Sequence, residues 1–162
     1  MSALTLSHRL ALFLGSLLVA ASTAHAQESV TVGLPGSVLF GVATQSAVTG
    51  NPAPTSVTFS NATVAPGRVV RISVMADASA FSGSQGSSYP ASAVSWTTTN
   101  ASGGIGTSGT LSSSGYTQVF QSYALTPSGG FDITWTLNTT AGTPRAGNLT
   151  LPLRWKLESV QP

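Results

Sequence analysis

Leu149-Thr150-Leu151-Pro152-Leu153-Arg154-Trp155-Lys156-Leu157-Glu158 is the clearest two-residue alternation in the chain. On a strand, Leu149, Leu151, Leu153, Trp155 and Leu157 share one face, and Thr150, Pro152, Arg154, Lys156 and Glu158 share the other. The first face calls for a core and the second for water. A helix would scatter the same apolar residues around its circumference. Pro152 in its interior would also cost roughly 3 kcal/mol through a lost hydrogen bond and a ring clash. The segment therefore reads as a strand, with Pro152 placing it at or near a sheet edge or beside a bulge.

Working outward, the same period recurs in short runs separated by Gly, Pro, Asn and Ser. Val30, Val32 and Leu34 alternate first, before Leu34-Pro35-Gly36, and Val38, Phe40 and Val42 form the next inward set. Val57 and Phe59 follow the turn Asn51-Pro52-Ala53-Pro54, and Val70, Ile72 and Val74 follow Ala65-Pro66-Gly67. Val94 and Trp96 share a face, as do Ile133, Trp135 and Leu137. Two stretches, 77–90 and 100–108, read as Ser/Gly-rich loops, and 109–114 as a short strand or bend. Residues 116–123 alternate with apolar groups on both sides, so their buried face stays ambiguous. About eight strands and no helical period predict an all-β chain, an antiparallel immunoglobulin-like β-sandwich. Trp96, Trp135 and Trp155 all sit in inward register, which makes them core residues in preference to an exposed platform for sugar rings.

The N-terminus is of another character. Arg9 supplies its positive charge, 10–21 is apolar, and Ala24-His25-Ala26 puts small residues at the positions a signal peptidase reads. Residues 1–26 are thus expected to be a secretory signal, cut between Ala26 and Gln27, with 27–162 as one domain. The apolar run falls short of the roughly 20 residues that a membrane-spanning helix needs. A secreted product without a membrane anchor is the expectation.

Export would remove His8 and His25, and the chain has no cysteine. What remains carries Arg68, Arg71, Arg145, Arg154 and Lys156 against Glu28, Asp77, Asp132 and Glu158, a net charge of +1. Nucleophile systems built on Ser-His or Cys-His then lack a member, and zinc, copper and haem lose their usual ligands. Paired-carboxylate hydrolysis would have to rest on Asp77 and Asp132, the internal acids, whose place at strand boundaries suits turn capping better. Calcium at Asp77 would need further carboxylates that the following loop does not hold. Gly103-Gly104-Ile105-Gly106 lacks the lysine and helix of a phosphate cradle. Asn61, Asn100, Asn138 and Asn148 each open an Asn-x-Ser/Thr sequon, a frequent accident in a Ser/Thr-rich chain. Charged residues make up 6% of the chain, against roughly 25% in ordinary soluble domains, and no basic cluster offers itself to nucleic acid. So little charge repulsion suits a subunit that packs against copies of itself. No enzyme activity and no cofactor are expected.

Taken together, the leader ending Ala24-His25-Ala26, the strand Val30-Thr31-Val32-Gly33-Leu34, the Ser/Thr/Gly-rich middle and the closing Arg145-Ala146-Gly147-Asn148-Leu149-Thr150-Leu151 are similar to exported bacterial fibre and coat subunits. The pattern resembles fimbrial pilins and spore-coat-U-like proteins, without their usual disulfide. The resemblance implies a structural subunit of an extracellular fibre, fimbria, matrix or coat, whose partners are its own copies or homologous subunits. It also implies assembly by strand exchange, with Val30, Val32 and Leu34 as pocket residues and Leu34-Pro35-Gly36-Ser37 as hinge. Pairing of the same strand within its own domain is the competing reading, and the residues leave both open. The alternative function is a small carbohydrate-binding or adhesion module that recognises surface glycans, with Tyr89, Tyr116 or Tyr123 as the stacking ring on an exposed face.

Overall fold

A computed structural model describes residues 27–42, 49–50, 54–83, 86–142 and 145–162. The leader and the Ala24 and Ala26 side of the cleavage junction lie outside the described residues, of which Gln27 is the first.

Among the described residues the chain is all-β, with antiparallel pairing throughout and two short 3₁₀ turns, Ala91–Ala93 and Thr139–Ala141. The strands are β1 (Ser29–Gly33), β2 (Ser37–Val42), β3 (Thr49–Gly50), β4 (Thr55–Thr63), β5 (Val69–Ala76), β6 (Ala80–Ser82) and β7 (Ser88–Pro90). They continue with β8 (Val94–Ser102), β9 (Gly104–Gly106), β10 (Gly109–Thr110), β11 (Thr117–Ser122), β12 (Gly129–Leu137) and β13 (Gly147–Val160). One sheet runs β1-β4-β12-β8-β10, with β3 also on β12, and the second runs β2-β13-β5-β11-β9. A hairpin of β6 and β7 stands apart.

The two large sheets share one core, an arrangement consistent with a β-sandwich. Phe120 of β11 stacks on Phe131 of β12, with ring centroids 4.8 Å apart and planes 6° from parallel, and meets Phe59 of β4 at 5.6 Å. Those contacts join the two sheets. Trp96 and Trp135 lie across from each other in the β8–β12 register, 5.8 Å between centroids, and both are buried. Trp155 is half-buried, with its Nε1 donating to the Pro35 carbonyl at 2.6 Å.

β13 is the long girder of the second sheet. It pairs with β2 from Gly147 to Pro152 and with β5 from Leu153 to Val160. The strand lies next to the outermost strand β2 and loses that neighbour past Pro152, so Pro152 stands near a sheet edge. Pro152 is tolerated because it sits where the ladder to β5 runs out. Its carbonyl accepts from Asp77 N–H at 3.1 Å, and the N–H it lacks would have pointed to that same side.

Three segments depart from the sequence expectation. In 77–90, composition suggested a loop, yet Phe81 and Tyr89 pair across the β6–β7 hairpin and stack 5.8 Å apart in the core. Two large rings recover enough buried area to order a Ser/Gly-rich segment. In 100–108, expected as a mobile loop, β8 runs on to Ser102 and Gly104–Gly106 forms β9. Gly103 turns between them at φ 70°, and Gly104 packs so closely on the Gln121 backbone that no side chain would fit. Asp132, expected at a strand boundary, lies inside β12.

Candidate functional site

β1 is the outermost strand of its sheet. It pairs with β4 through Thr31↔Ser60, Val32↔Phe59 and Gly33↔Thr58, with an irregularity between Ser29 and Thr31. Its other edge carries no strand among the described residues. Val30 and Val32 are half-buried against the core, and Leu34 packs on it just beyond the strand. The link from Leu34 to Gly36 then crosses to β2 in the opposite sheet, held by the Trp155 bond to Pro35.

A second unpaired edge faces β1. Backbone groups of an antiparallel strand point alternately to its two sides. Pro152 O accepts from Asp77 on the β5 side, and Leu153 N donates to Gly36 O on the β2 side at 3.1 Å. The odd-numbered residues beyond, Trp155 and Leu157, therefore aim their N–H and C=O away from β5, past the point where β2 has ended. Between these edges opens a groove of about 200 Å³, floored by Val30, Val64, Val70 and Leu157. The gap explains why Trp155 and Leu157 are half-buried while Leu149 and Leu151, further along the same face, are fully buried.

A polar latch closes one end of the groove. Glu28 Oε1 accepts from Ala65 N–H at 2.8 Å and from the Ser159 hydroxyl at 2.9 Å. Arg68 Nε donates to Ser159 Oγ at 2.7 Å, its Nη2 donates to Ser159 O, and its Nε stands 3.6 Å from Glu28 Oε1. The start of β1, the β4–β5 turn and the end of β13 are thereby tied at one point. The Ala65 N–H and then the Ser159 hydroxyl hold the Glu28 carboxyl below its ordinary range; desolvation opposes them, and the Arg68 charge adds a still smaller lowering.

The chemistry of the remaining acids is that of partnered groups. Asp77 pairs with Arg154, and Glu158 with Lys156 at 2.6 Å. Asp132 accepts from Asn100 at 2.7 Å and from Ser56 at 2.5 Å; the Asn100 bond, then the Ser56 bond, lower its pKa. Among the described residues no three His, Cys, Asp or Glu side chains gather to hold a metal.

Of the residues singled out by sequence, Val30, Val32 and Leu34 come together at the open edge. Tyr89 is a correction: it is wholly buried, its hydroxyl has no partner, and burial raises its pKa, so no exposed ring exists there. Tyr116 and Tyr123 are exposed but flank opposite ends of β11, too far along the strand to act as one platform. Val64, Val70, Leu157, Glu28, Arg68 and Ser159 escape sequence reading, because only the fold gathers segments so distant along the chain. No family model matches the chain, and no curated protein or solved structure matches it either.

Proposed function

We propose that the chain is a secreted, non-enzymatic structural subunit of an extracellular fibre, fimbria, matrix or coat, with an immunoglobulin-like sandwich, assembling by exchange of β1 between copies. One observation carries the reading: β1 is a terminal edge strand, shallowly buried and joined to the body by a three-residue link, beside an apolar groove. Lifting such a strand onto a neighbour's β4 replaces each lost contact with an identical one. The backbone ladder supplies affinity, and Val30 and Val32 supply register. A cysteine-free chain of low charge adds no disulfide or strong repulsion to oppose it.

The test uses Thr31 and Ser60, outward residues directly opposed in the β1–β4 ladder. Thr31→Cys and Ser60→Cys copies of different tag length are refolded together and oxidised. Opposed positions in an antiparallel pair lie within the roughly 4.4–6.8 Å that a disulfide spans between Cα atoms. Exchange yields the mixed dimer well above either homodimer, rising with concentration. A monomer that forms no mixed dimer at high concentration overturns the proposal.

A further inference from the structure

The two outer faces of the sandwich are chemically unlike. On the β4-β12-β8 side the outward residues are hydroxyls such as Thr58, Thr97, Thr99 and Thr134, around the single acid Asp132. On the β13-β5-β11 side the register gathers charges and amides into two rows, Lys156–Ser73–Gln118 and Glu158–Arg71–Gln121. Tyr116, 43% exposed, stands at the head of β11, with Lys156 Nζ 5.8 Å from its ring centroid. In a chain with only 6% charged residues, such clustering on one face is notable for what it leaves uncompensated.

That residue is Arg71. Glu158 lies directly across from it, yet gives its carboxylate to Lys156 at 2.6 Å, and Asp77 is taken by Arg154. Arg71 makes only a long Nη2 bond to Gln121 Oε1, 3.4 Å, and its Nε is out of water with no acceptor. Mid-sheet, no carboxylate among the described residues lies within ion-pair distance of the guanidinium, although Glu158 stands across from it. An anion from outside would therefore gain a charge-assisted bond at the Nη atoms without displacing a carboxylate. Beside it, the Gln118 and Gln121 amides can both donate to and accept from hydroxyls. Tyr116 stays 43% exposed although Lys156 Nζ lies over its ring, and the part of the ring left uncovered offers an apolar surface to the C–H face of a sugar.

We propose that this face binds an acidic polysaccharide, a chain of uronate sugars, with a carboxylate at Arg71, hydroxyls at Gln118 and Gln121, and one ring on Tyr116. The site shares Glu158 with the rim of the groove but uses the outward face of β13's sheet, and it does not depend on strand exchange. Tyr116 precedes Thr117, the partner of Val74, and so stands about four residues, roughly 13 Å, from the Arg71 row along β5; ring and guanidinium would engage separate sugars of one chain.

Affinity electrophoresis of the intact protein in gels containing polygalacturonate, dextran or polyglutamate tests the proposal. Retardation is expected in polygalacturonate alone, weakened by added salt because part of the attraction is ionic. Tyr116→Ala should reduce it about five-fold and Arg71→Gln about ten-fold. Tyr123→Ala, at the far end of β11 and 57% exposed, should leave it unchanged. Unfolding temperatures of the variants are measured alongside, and Arg71→Lys, which keeps the charge but not the fork, should recover part of the loss. Equal retardation by polyglutamate, or retention indifferent to Tyr116, would reduce the effect to bulk charge and overturn the proposal. So would the absence of retardation in polygalacturonate.

Discussion

Replacing Phe120 with Ala tests whether one aromatic cluster holds the two sheets together. The ring is fully buried, lies flat on Phe131 at 4.8 Å and meets Phe59 at 5.6 Å, so it touches both layers. Removing a buried Phe costs about 3–5 kcal/mol through lost transfer energy and the cavity left behind. Each ring pair adds about 0.5–1.5 kcal/mol beyond its area. The backbone around Phe120 is also poorly able to collapse, because it is pinned between β5 and β9. The upper part of the range, about 4 kcal/mol, is therefore expected. For a domain of this size that lowers the melting temperature by roughly 15 °C. Urea titration followed by tryptophan fluorescence should show the midpoint falling at constant slope. A double-mutant cycle of Phe120→Leu with Phe131→Leu should give a coupling of about 1 kcal/mol, as touching residues do. A loss below about 1 kcal/mol for Phe120→Ala, or zero coupling in the cycle, would refute the face-to-face packing.

Acid should loosen the latch. The Glu28 pKa is lowered in the folded chain, so its contribution is present above the unfolded value and lost as pH falls through the depressed one. Asp132 behaves in the same direction, hence Glu28→Gln should flatten part of the fall in melting temperature as pH drops through and below the ordinary carboxylate range, and Asp132→Asn a further part. A pH dependence unchanged in the double variant would contradict both assignments. Two glycine substitutions should separate cleanly: Gly104→Ala drives a Cβ into the Gln121 carbonyl and the Phe120 ring, costing about 1–3 kcal/mol, whereas Gly115→Ala meets nothing and should be neutral or slightly stabilising. Equal urea midpoints for the pair would show that β9 does not pack on β11 as described. Finally, Trp96 Nε1 donates to Thr107 O at 2.8 Å while Trp135 Nε1 is buried without an acceptor. Trp96→Phe should therefore be the more destabilising of the two Trp→Phe changes, by about 1 kcal/mol in denaturant titration.

The alternation of residues 149–158 determined that this chain builds sheets, because a period of two survives whatever surrounds it. The same holds for Val30 and Val32, Val70 to Val74, and Ile133 to Leu137, whose inward residues are those the fold buries or packs on its core. The lack of cysteine was equally plain from composition. Residues 116–123 were ambiguous for a definite reason. A register shift between Gln118 and Phe120 lets Val119 and Phe120, neighbours in sequence, both enter the core, and a bulge of that kind breaks the period being read. The Gly-rich 100–108 segment misled because its glycines serve close strand contact and not mobility, a distinction visible only once Gln121 lies beside Gly104. The sites were least legible. Glu28, Ala65, Arg68 and Ser159 meet, and Arg71 goes without a carboxylate, through register between strands distant along the chain. Local pattern specifies which side of a strand a residue occupies, but which residues become neighbours depends on the order in which strands pair, and that is settled by packing of the whole.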